Sequence, residues 1–490
     1  MQENKAIVVG SGFGGMAAAS ILAKNGYAVT VLEKNDMPGG RAQVWKKDGY
    51  IFDMGPSWYL MPDVFERYFA LFGKKPEDFL KLERLDPHYR VFYSGGKILD
   101  ISAVLDENMK LFDELEKDGA KKLREYLDNS KYQYEIAMEK FLYKDYKYLT
   151  DFFNWKLIID GSKFHVFSKL DSYVSRYFES PEIKKILEYN IVFLGGAPKN
   201  SPALYSLMTH VDFNLGVWYP KGGLGQLVNA FYELAQSQGV EFIFNHEVTR
   251  IKVENDRAVA AVTDPVEFQA DVFVMNADHA YVDLNLLDRK HRSYSEKYWD
   301  QRKIAPSAIL MFLGFNKRLP NLKHHNLYLL DDWDVHFETL FNKPGWPDEP
   351  CIYICCPSKT DSSVAPEGHE NIFILVPVAS DLDDTDVIRE KYFKWVIDLL
   401  QRLTGEAVTK NLVVKRIFSH RDFKSNYNAY KGTALGLAHT LRQTAVFRPQ
   451  HQNKKLRNLF YTGHYNHPGI GVPMVTISSQ IVADVIKREM

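Results

Sequence analysis

The sequence predicts an α/β protein made of two interwoven domains. Three observations lead to this class: a strand–glycine turn–helix–strand unit opens the chain, two further glycine-rich segments follow it, and no long linker separates the blocks between them. Units of this kind build parallel sheets covered by helices. Residues 1–85, 210–300 and 441–490 are expected to form the first domain, and residues 86–209 and 301–440 a second domain of the α+β class.

The opening unit has the pattern of a dinucleotide-binding turn. An apolar run from Lys5 to Val9 precedes the G-x-G-x-x-G glycines, and a second run ends at Glu33, 23 residues after Gly10. The glycines permit a tight turn and a close approach of the backbone to a pyrophosphate, and the following helix N-terminus attracts phosphate. Glu33 is placed to accept hydrogen bonds from a ribose, and its charge disfavours NADP. These features predict a Rossmann-like domain.

A second glycine element indicates which dinucleotide binds. The segment 37–42 contains two adjacent glycines and follows Glu33 closely, and the segment 53–57 follows a short apolar run. Paired glycines permit a second close approach of the backbone, and Arg41 can face the charge of a pyrophosphate. A nicotinamide-dependent dehydrogenase does not need this element, so FAD is expected. The alternative is an ordinary turn with a surface arginine.

A third glycine element lies near the C-terminus. A short apolar strand ends at Gly463, and a helix is predicted from residue 475 to residue 487. The segment 471–473 at the start of this helix would point backbone N–H groups at the flavin ring or the ribityl chain. The residues expected to contact FAD are Gly10, Gly12, Phe13, Gly14, Gly15, Glu33, Lys34, Gly40, Arg41, Gly55, Pro56, Ser57, Val248, Asn276, Gly463, Gly471, Val472, Pro473 and Met474.

Composition disfavours several other classes of protein. The 490 residues carry 61 basic and 62 acidic side chains, so no broad attraction to nucleic acid is expected. Cys351, Cys355 and Cys356 match no zinc pattern and the histidines are scattered, so no metal site is expected. The uncharged stretch 6–23 holds the glycines of the first turn, and it is therefore interpreted as strand–turn–helix and not as a membrane span.

The region from about residue 105 to residue 190 is expected to be mostly helical and to belong to the second domain. Between residues 141 and 170, aromatic and aliphatic side chains are interleaved with lysines, which gives an amphipathic segment. Such a segment can rest in a membrane interface. It can equally form a helical lid packed on the core of the protein, and both interpretations stay open.

Taken together, these motifs resemble one family. The bacterial phytoene desaturases, the carotenoid-desaturase branch of the flavin amine-oxidase superfamily, share them, and the resemblance runs from about residue 5 to about residue 485. It implies FAD as the redox group, a long apolar carotenoid as substrate, quinone or oxygen as electron acceptor, and a cytoplasmic protein attached to the membrane surface. Besides the three glycine elements, the matching segments are 216–223, 276–278, 361–368, 443–449 and 467–473.

The resemblance implies a desaturase that oxidises C–C single bonds of a linear carotenoid by hydride transfer to the flavin, with phytoene as the leading substrate hypothesis. The alternatives are a later desaturase acting on cyclic or hydroxylated carotenoids, for instance at the 3,4 bond, and an FAD-dependent carotene isomerase. An amine oxidase is disfavoured because no cysteine lies near the C-terminal flavin loop. A non-catalytic carotenoid carrier is the last alternative. Leu435, His464 and Met474 depart from the residues common in the family.

The sequence identifies candidate catalytic residues but no strong acid–base pair. The polar candidates near the expected flavin are Asn276, Asp278, His464, His467 and Glu367. His467 is a candidate for proton transfer because imidazole changes protonation near neutral pH. The alternative is that His467 is a turn residue beside a proline.

Overall fold

The computed structural model describes residues 4–147 and 168–490. Its strands, in chain order, are β1 Lys5–Val9, β2 Ala28–Leu32, β3 Val44–Lys47, β4 Tyr50–Asp53, β5 Leu82–Arg84, β6 Tyr89–Tyr93, β7 Ile98–Ile101, β8 Trp218–Pro220, β9 Glu241–Ile243, β10 Arg250–Glu254, β11 Arg257–Val262, β12 Glu267–Gln269, β13 Val272–Met275, β14 Ser307–Phe315, β15 His325–Leu329, β16 Ile352–Cys355, β17 Glu370–Val378, β18 Leu412–Phe418 and β19 Leu459–Tyr461.

The α-helices connect and cover these strands. In chain order they are α1 Phe13–Lys24, α2 Pro62–Ala70, α3 Leu105–Leu115, α4 Gly119–Ile136, α5 Leu170–Val174, α6 Pro181–Glu188, α7 Asn190–Phe193, α8 Leu207–His210, α9 Gly225–Ser237, α10 His279–Tyr281, α11 Glu296–Asp300, α12 Asp334–Phe341, α13 Asp386–Thr404, α14 His420–Tyr427 and α15 Val472–Glu489.

Within the described residues, one sheet has five parallel strands in the order β19-β13-β1-β2-β9. The chain visits this sheet in three separate stretches, which contribute first β1 and β2, then β9 and β13, and finally β19. Val8 on β1 and Val274 on β13 are fully buried, as parallel strands covered on both faces require. Helix α1 packs between α9 and α15. The predicted α/β class with a parallel sheet is confirmed.

A second, mixed sheet has seven strands among the described residues, in the order β18-β14-β17-β16-β15-β6-β7. Its pairs are antiparallel except for β15 with β6. One face packs on α13 through Val396 and Leu400. The opposite face, which carries Leu310 and Phe312, packs towards the helices that follow β7. This sheet forms the wall of the cavity described below.

The region expected to be helical is helical where it is described, from α3 to α7. At Ala137 helix α4 passes into a π-helical turn that ends at Phe141. Much of the amphipathic segment, residues 148–167, lies outside the described residues, so its two interpretations stay predictions. No helix in the described ranges combines the length and the apolar character needed to span a bilayer.

Candidate functional site

A cavity of about 1030 Å³ lies at the carboxyl edge of the five-stranded sheet. It begins at Gly10 after β1 and at Glu33 after β2, and it extends to Leu310 and Leu375 on the seven-stranded sheet. Doubly wound sheets bind nucleotides at this edge. Ordinary ligand pockets measure about 300–1,000 Å³, so this cavity is large enough for a cofactor together with part of a second ligand.

The turn from Gly10 to Gly12 forms one end of the cavity. Gly10 has a φ of +98°, and α1 begins after Gly12 without a side-chain cap. The first N–H groups of α1 are therefore open to an anion. A Cβ atom on Gly40 would lie 3.4 Å from the Cα of Gly12, so the first two glycine elements meet at one point in space.

Arg41 brings a positive charge to this point. Its Nε and Nη2 atoms are buried and have no hydrogen-bond partner among the described residues. Its Nη2 lies 3.9 Å from the carboxylate of Asp278, and its guanidinium carbon lies 5.8 Å from the ring centre of Tyr427. A half-buried guanidinium with two open, buried donor nitrogens is suited to bind a pyrophosphate.

Glu33 is held at the end of β2 by the glycine turn. Its Oε2 atom accepts hydrogen bonds of 2.7 Å from both the backbone N–H and the hydroxyl of Ser11. Its Oε1 atom accepts one of 2.9 Å from the backbone N–H of Asn35 and one of 3.1 Å from the side-chain amide of the same residue. These four hydrogen bonds match the roughly four acceptor sites of a carboxylate and hold the side chain of Glu33 in the cavity lining. Sequence reasoning missed Ser11, because it occupies the variable position between the first two glycines of the fingerprint.

The third glycine element closes the other side of the cavity. Gly471 has a φ of +116° and directly precedes α15, which has Pro473 in its first turn and no side-chain cap. A helix of 18 residues without a cap leaves its first N–H groups open to a ligand. Gly463, at the end of β19, has a φ of +119° and also lines the cavity.

All but one of the residues expected to contact FAD line this cavity. The exception is Gly15, which lies behind the turn and does not reach the lining. Lys34 lines the cavity, but its ammonium group is engaged by the protein, 2.7 Å from the carbonyl oxygen of Ser425 and 3.2 Å from the carboxylate of Glu247. The structure therefore gathers three glycine elements that are far apart in the sequence around one cavity.

His467 also lines the cavity, and its two ring nitrogens differ. Its Nε2 lies 3.2 Å from the carbonyl oxygen of Phe141, whereas Nδ1 is buried without a hydrogen-bond partner among the residues described. Because a carbonyl only accepts, Nε2 carries the hydrogen and Nδ1 keeps a free lone pair. Burial lowers the pKa of His467 to about 3, so the ring is neutral.

The other two catalytic candidates have structural partners. The side-chain amide of Asn276 donates a 3.2 Å hydrogen bond to the carbonyl oxygen of Gly10. The buried carboxylate of Asp278 accepts 2.9 Å from the hydroxyl of Tyr465 and 3.2 Å from the N–H of Tyr430. Both side chains line the cavity, but their hydrogen bonds hold neighbouring segments together. Neither is free to act as a base in the way that His467 is.

Of the two remaining polar candidates, His464 lies in the cavity lining and Glu367 does not. His464, Leu435 and Met474, the residues that depart from the family pattern, all line the cavity. Burial holds the pKa of His464 well below its usual range, so this ring is also neutral. Glu367 is exposed and does not belong to the lining.

Sequence reasoning missed a polar pair in the lining, Tyr205 and His439. The Tyr205 hydroxyl and the Nδ1 of His439 are hydrogen-bonded to each other, although the residues are 234 positions apart. The N–H of Ile470, in the loop before α15, lies 3.2 Å from the Nε2 of His439. No motif or local spacing in the sequence links these residues.

A second group that the sequence did not indicate lies outside the cavity lining. His324, His325 and Cys355 are buried, with donor atoms within 4.8 Å of one another. The ring of His325 stacks on Trp58 at 4.2 Å and forms a 2.7 Å hydrogen bond with the hydroxyl of Tyr353. Burial lowers the pKa of both histidines, so they are neutral rings packed between the seven-stranded sheet and the segment after β4.

Comparison with known proteins decides the family. The flavin-containing amine oxidoreductase family matches residues 13–487. The chain is also 45% identical over 484 residues to a carotenoid 3,4-desaturase of Haloarcula japonica, covering 99% of this chain and 98% of the relative. The chain belongs to the flavin-containing amine oxidoreductases, in the carotenoid-desaturase branch.

Other members of the family are similar over the same length. A zeta-carotene-forming phytoene desaturase of Myxococcus xanthus is 31% identical over 491 residues, which cover 99% of this chain and 94% of the relative. A crystal structure of an oxidoreductase from Methanosarcina mazei aligns with a TM-score of 0.63 at 14% identity, over 99% of this chain and 100% of the other. At that identity the structural likeness shows the fold alone. The carotenoid-desaturase member described here is an FAD-dependent oxidoreductase acting on CH–CH bonds, and the predictions of family, cofactor and enzyme class are confirmed.

Proposed function

We propose that this enzyme desaturates the 3,4 bond in the end group of a linear carotenoid. The observation that carries the proposal is the continuity of one cavity from the glycine turn at Gly10 to an apolar chamber against the seven-stranded sheet. The 45% identity to a carotenoid 3,4-desaturase, against 31% to a phytoene desaturase, favours the end-group bond over phytoene. Phytoene is the second candidate, because the relative that forms zeta-carotene is also similar over the whole chain.

The charged residues of the lining support a division of the cavity into two ends. They all follow strands of the five-stranded sheet or belong to the second glycine element. We assign this end to FAD: the start of α1 and Arg41 would hold the pyrophosphate, Glu33 the ribose, and the start of α15 the polar edge of the flavin. FAD supplies the two-electron oxidant when it is bound. The charged lining residues are Glu33, Lys34, Arg41, Glu247 and Asp278.

The opposite end suits a hydrocarbon chain. Its walls come from the helices after β7 and from the seven-stranded sheet, and they are mostly aliphatic. An apolar wall binds a polyene by burying its surface and keeps water from the reacting bond. No lysine, arginine or carboxylate belongs to this end in the described lining. The aliphatic residues here include Leu194, Leu204, Leu207, Met208, Leu310 and Leu375.

We assign the acceptance of the substrate proton to His467. Removal of two hydrogens from a C–C bond releases one of them as a proton, and the Nδ1 lone pair of His467 is free in the lining. The low pKa of this ring makes it a weak base. A weak base is sufficient, because a carbon atom next to a developing allylic cation is strongly acidic.

Three further parts of the proposal concern the surroundings of the site. Residues 86–209 and 301–440 form the substrate domain, which is supported by the pairing of β6 with β15 across that division. The enzyme sits on one face of the membrane, which is supported by the half-exposed Phe447 in the cavity lining. Quinone or oxygen takes the electrons from the cofactor, because repeated turnover requires the cofactor to be reoxidised.

A pigment assay tests the substrate. Purified, FAD-loaded protein is incubated with lycopene or with phytoene in liposomes, with a quinone as acceptor, and the products are separated by HPLC. In lycopene the C3–C4 single bond joins an isolated double bond to the conjugated chain, so 3,4-desaturation gives a product with two hydrogens fewer and a red-shifted spectrum. Consumption of phytoene alone would favour the second candidate, and no product from either carotenoid would refute both.

A further inference from the structure

The Tyr205–His439 pair lies among aliphatic residues in the substrate end of the cavity. Tyr205 stands between Leu204 and the start of α8, and His439 packs against Gly469, where a Cβ atom would lie 2.5 Å from its Nε2. Gly469 has a φ of +131° and belongs to the loop that leads into α15. The pair therefore packs on the loop that leads into α15, the helix whose start lies at the flavin end of the cavity.

The hydrogen bonds of His439 determine which of its two ring nitrogens carries the hydrogen. Burial, with the nearby Arg448 charge, keeps the pKa of His439 well below its usual range, so the ring is neutral. Its Nε2 is the acceptor of the Ile470 N–H at 3.2 Å. A neutral imidazole carries one hydrogen, so that hydrogen must be on Nδ1. His439 therefore donates to the oxygen of Tyr205.

This assignment leaves the hydroxyl hydrogen of Tyr205 without an acceptor. The hydroxyl oxygen already receives the His439 hydrogen, and no second hydrogen-bond partner of this group occurs among the described residues. Burial raises the pKa of Tyr205, so the phenol does not lose the hydrogen. A donor left unsatisfied in an apolar pocket is unfavourable, and a ligand oxygen at this place would satisfy it.

We infer that Tyr205, fixed by His439, is a specificity-determining residue that donates a hydrogen bond to an oxygen on the end group of the carotenoid. The inference rests on the proposed function and adds to it the residue that distinguishes a hydrocarbon end group from one with a hydroxyl or keto oxygen close to the bond that is oxidised. The apolar walls accept the hydrocarbon chain of any carotenoid, whereas a buried donor distinguishes an oxygenated end from a hydrocarbon end.

The pair is not placed to take the substrate proton. The Nδ1 of His439 already carries a hydrogen, and its Nε2 is occupied by a backbone N–H. The buried guanidinium of Arg448 lies against Gly469 together with the His439 ring. A second proton on His439 would place two cations side by side in the interior, where neither is solvated. Recognition is the role left for the pair.

Replacing Tyr205 with phenylalanine tests the inference. Tyr205→Phe removes the donor and keeps the ring, and kcat/KM is measured with lycopene and with a lycopene derivative hydroxylated at one end. We expect a loss of about tenfold to a hundredfold for the hydroxylated substrate, mainly in KM, and no loss for lycopene. Tyr427→Phe is the matched control: it removes a hydroxyl from another lining tyrosine, beside Arg41 at the cofactor end, and should leave the ratio of the two substrates unchanged.

The outcomes separate failure of this inference from failure of the proposed function. Equal losses with both carotenoids, or a change confined to the KM for quinone, would show that Tyr205 does not recognise the substrate oxygen. If wild-type protein oxidises neither carotenoid, binding is measured instead, from the shift in polyene absorption on addition of dithionite-reduced protein. Tighter binding of the hydroxylated carotenoid that disappears in Tyr205→Phe supports the inference without turnover, and equal binding by both proteins overturns it.

Discussion

Gly15 lies against the carbonyl oxygen of Gly10: a Cβ atom on Gly15 would be 2.0 Å from that oxygen. This contact explains why the third glycine of the fingerprint does not line the cavity. Its role is to let α1 approach the strand end, so that the open N–H groups at the start of the helix stand beside the cofactor end. The first two glycines face the cofactor end and the third sets the position of the helix.

Replacement of Gly15 with alanine should therefore reduce FAD retention. The methyl group forces α1 away from the Gly10 turn, and overpacking of this kind costs about 1–3 kcal/mol. We expect a lower melting temperature and a purified protein with less bound flavin, measured from the visible absorption per protein. Ser20→Ala, in the same helix but away from the Gly10 turn, removes a hydroxyl that donates to the Met16 carbonyl oxygen and is the control. Full flavin content in Gly15→Ala would contradict this account of the turn.

Glu33→Arg should also lower the flavin content, because it removes the acceptor proposed for the ribose and reverses its charge. It replaces a buried acceptor, which Ser11 holds at 2.7 Å, with a cation that cannot accept a hydrogen bond from a ribose. We expect FAD affinity to fall by at least about tenfold, measured by titration of the apoprotein with FAD. Glu241→Arg makes the same change of charge at an exposed position on β9, and its FAD affinity should stay close to that of wild type.

The buried Glu188 should make the stability of the protein fall at alkaline pH. Burial raises the pKa of this carboxyl to about 8, and its Oε1 has no hydrogen-bond partner among the described residues. Because the folded pKa lies above the unfolded one, the protonated form contributes stability that is complete below about pH 4 and is lost as pH rises through 8. Glu188→Gln should thus melt at a higher temperature than wild type at pH 9 and close to it at pH 5. Glu179→Gln, at an exposed position just before α6, is the control for removing a carboxyl group from the same part of the fold.

His467→Ala should slow turnover without removing the flavin. If the Nδ1 of His467 accepts the substrate proton, its loss should lower kcat by about 10²–10⁴-fold, while flavin absorption per protein stays unchanged. Its Nε2 bonds to the Phe141 carbonyl oxygen, so His467→Gln, which keeps a donor amide, separates this contact from proton acceptance. A fast His467→Ala enzyme, or a His467→Gln enzyme that recovers full activity, would remove this histidine as the base.

The sequence predicted the parts of the site that depend on local pattern, and it did not predict the parts that depend on distant contacts. The glycine elements at Gly10, Gly40 and Gly471 were found because each needs a backbone shape that glycine provides within a few residues. Pairing of Tyr205 with His439 joins positions 234 residues apart, and nothing local indicates it. The parallel pairing of β6 with β15 was unpredictable for the same reason.

Asp278 shows the other limit of sequence reasoning. A carboxylate next to an expected flavin is a reasonable catalytic candidate, but its hydrogen bonds to Tyr465 and Tyr430 occupy it. Its side chain also caps α10 by accepting from the N–H of Tyr281. The residue type was visible in the sequence, whereas the partners that decide its role were brought in by folding.

The opening of the cavity should govern delivery of the substrate from the membrane. Phe447 both lines the cavity and is 50% exposed, so it marks a place where the cavity reaches the surface. Insertion of one such ring into lipid is worth about 1.5–3 kcal/mol. Phe447→Asp should therefore reduce flotation with liposomes by roughly tenfold and raise the KM for a liposomal carotenoid, with flavin content unchanged.

Val413→Asp introduces the same charge at a valine that is 51% exposed on β18 and outside the lining, so flotation of this variant should match wild type. Equal flotation of wild type and Phe447→Asp would show that the membrane contact lies elsewhere on the surface.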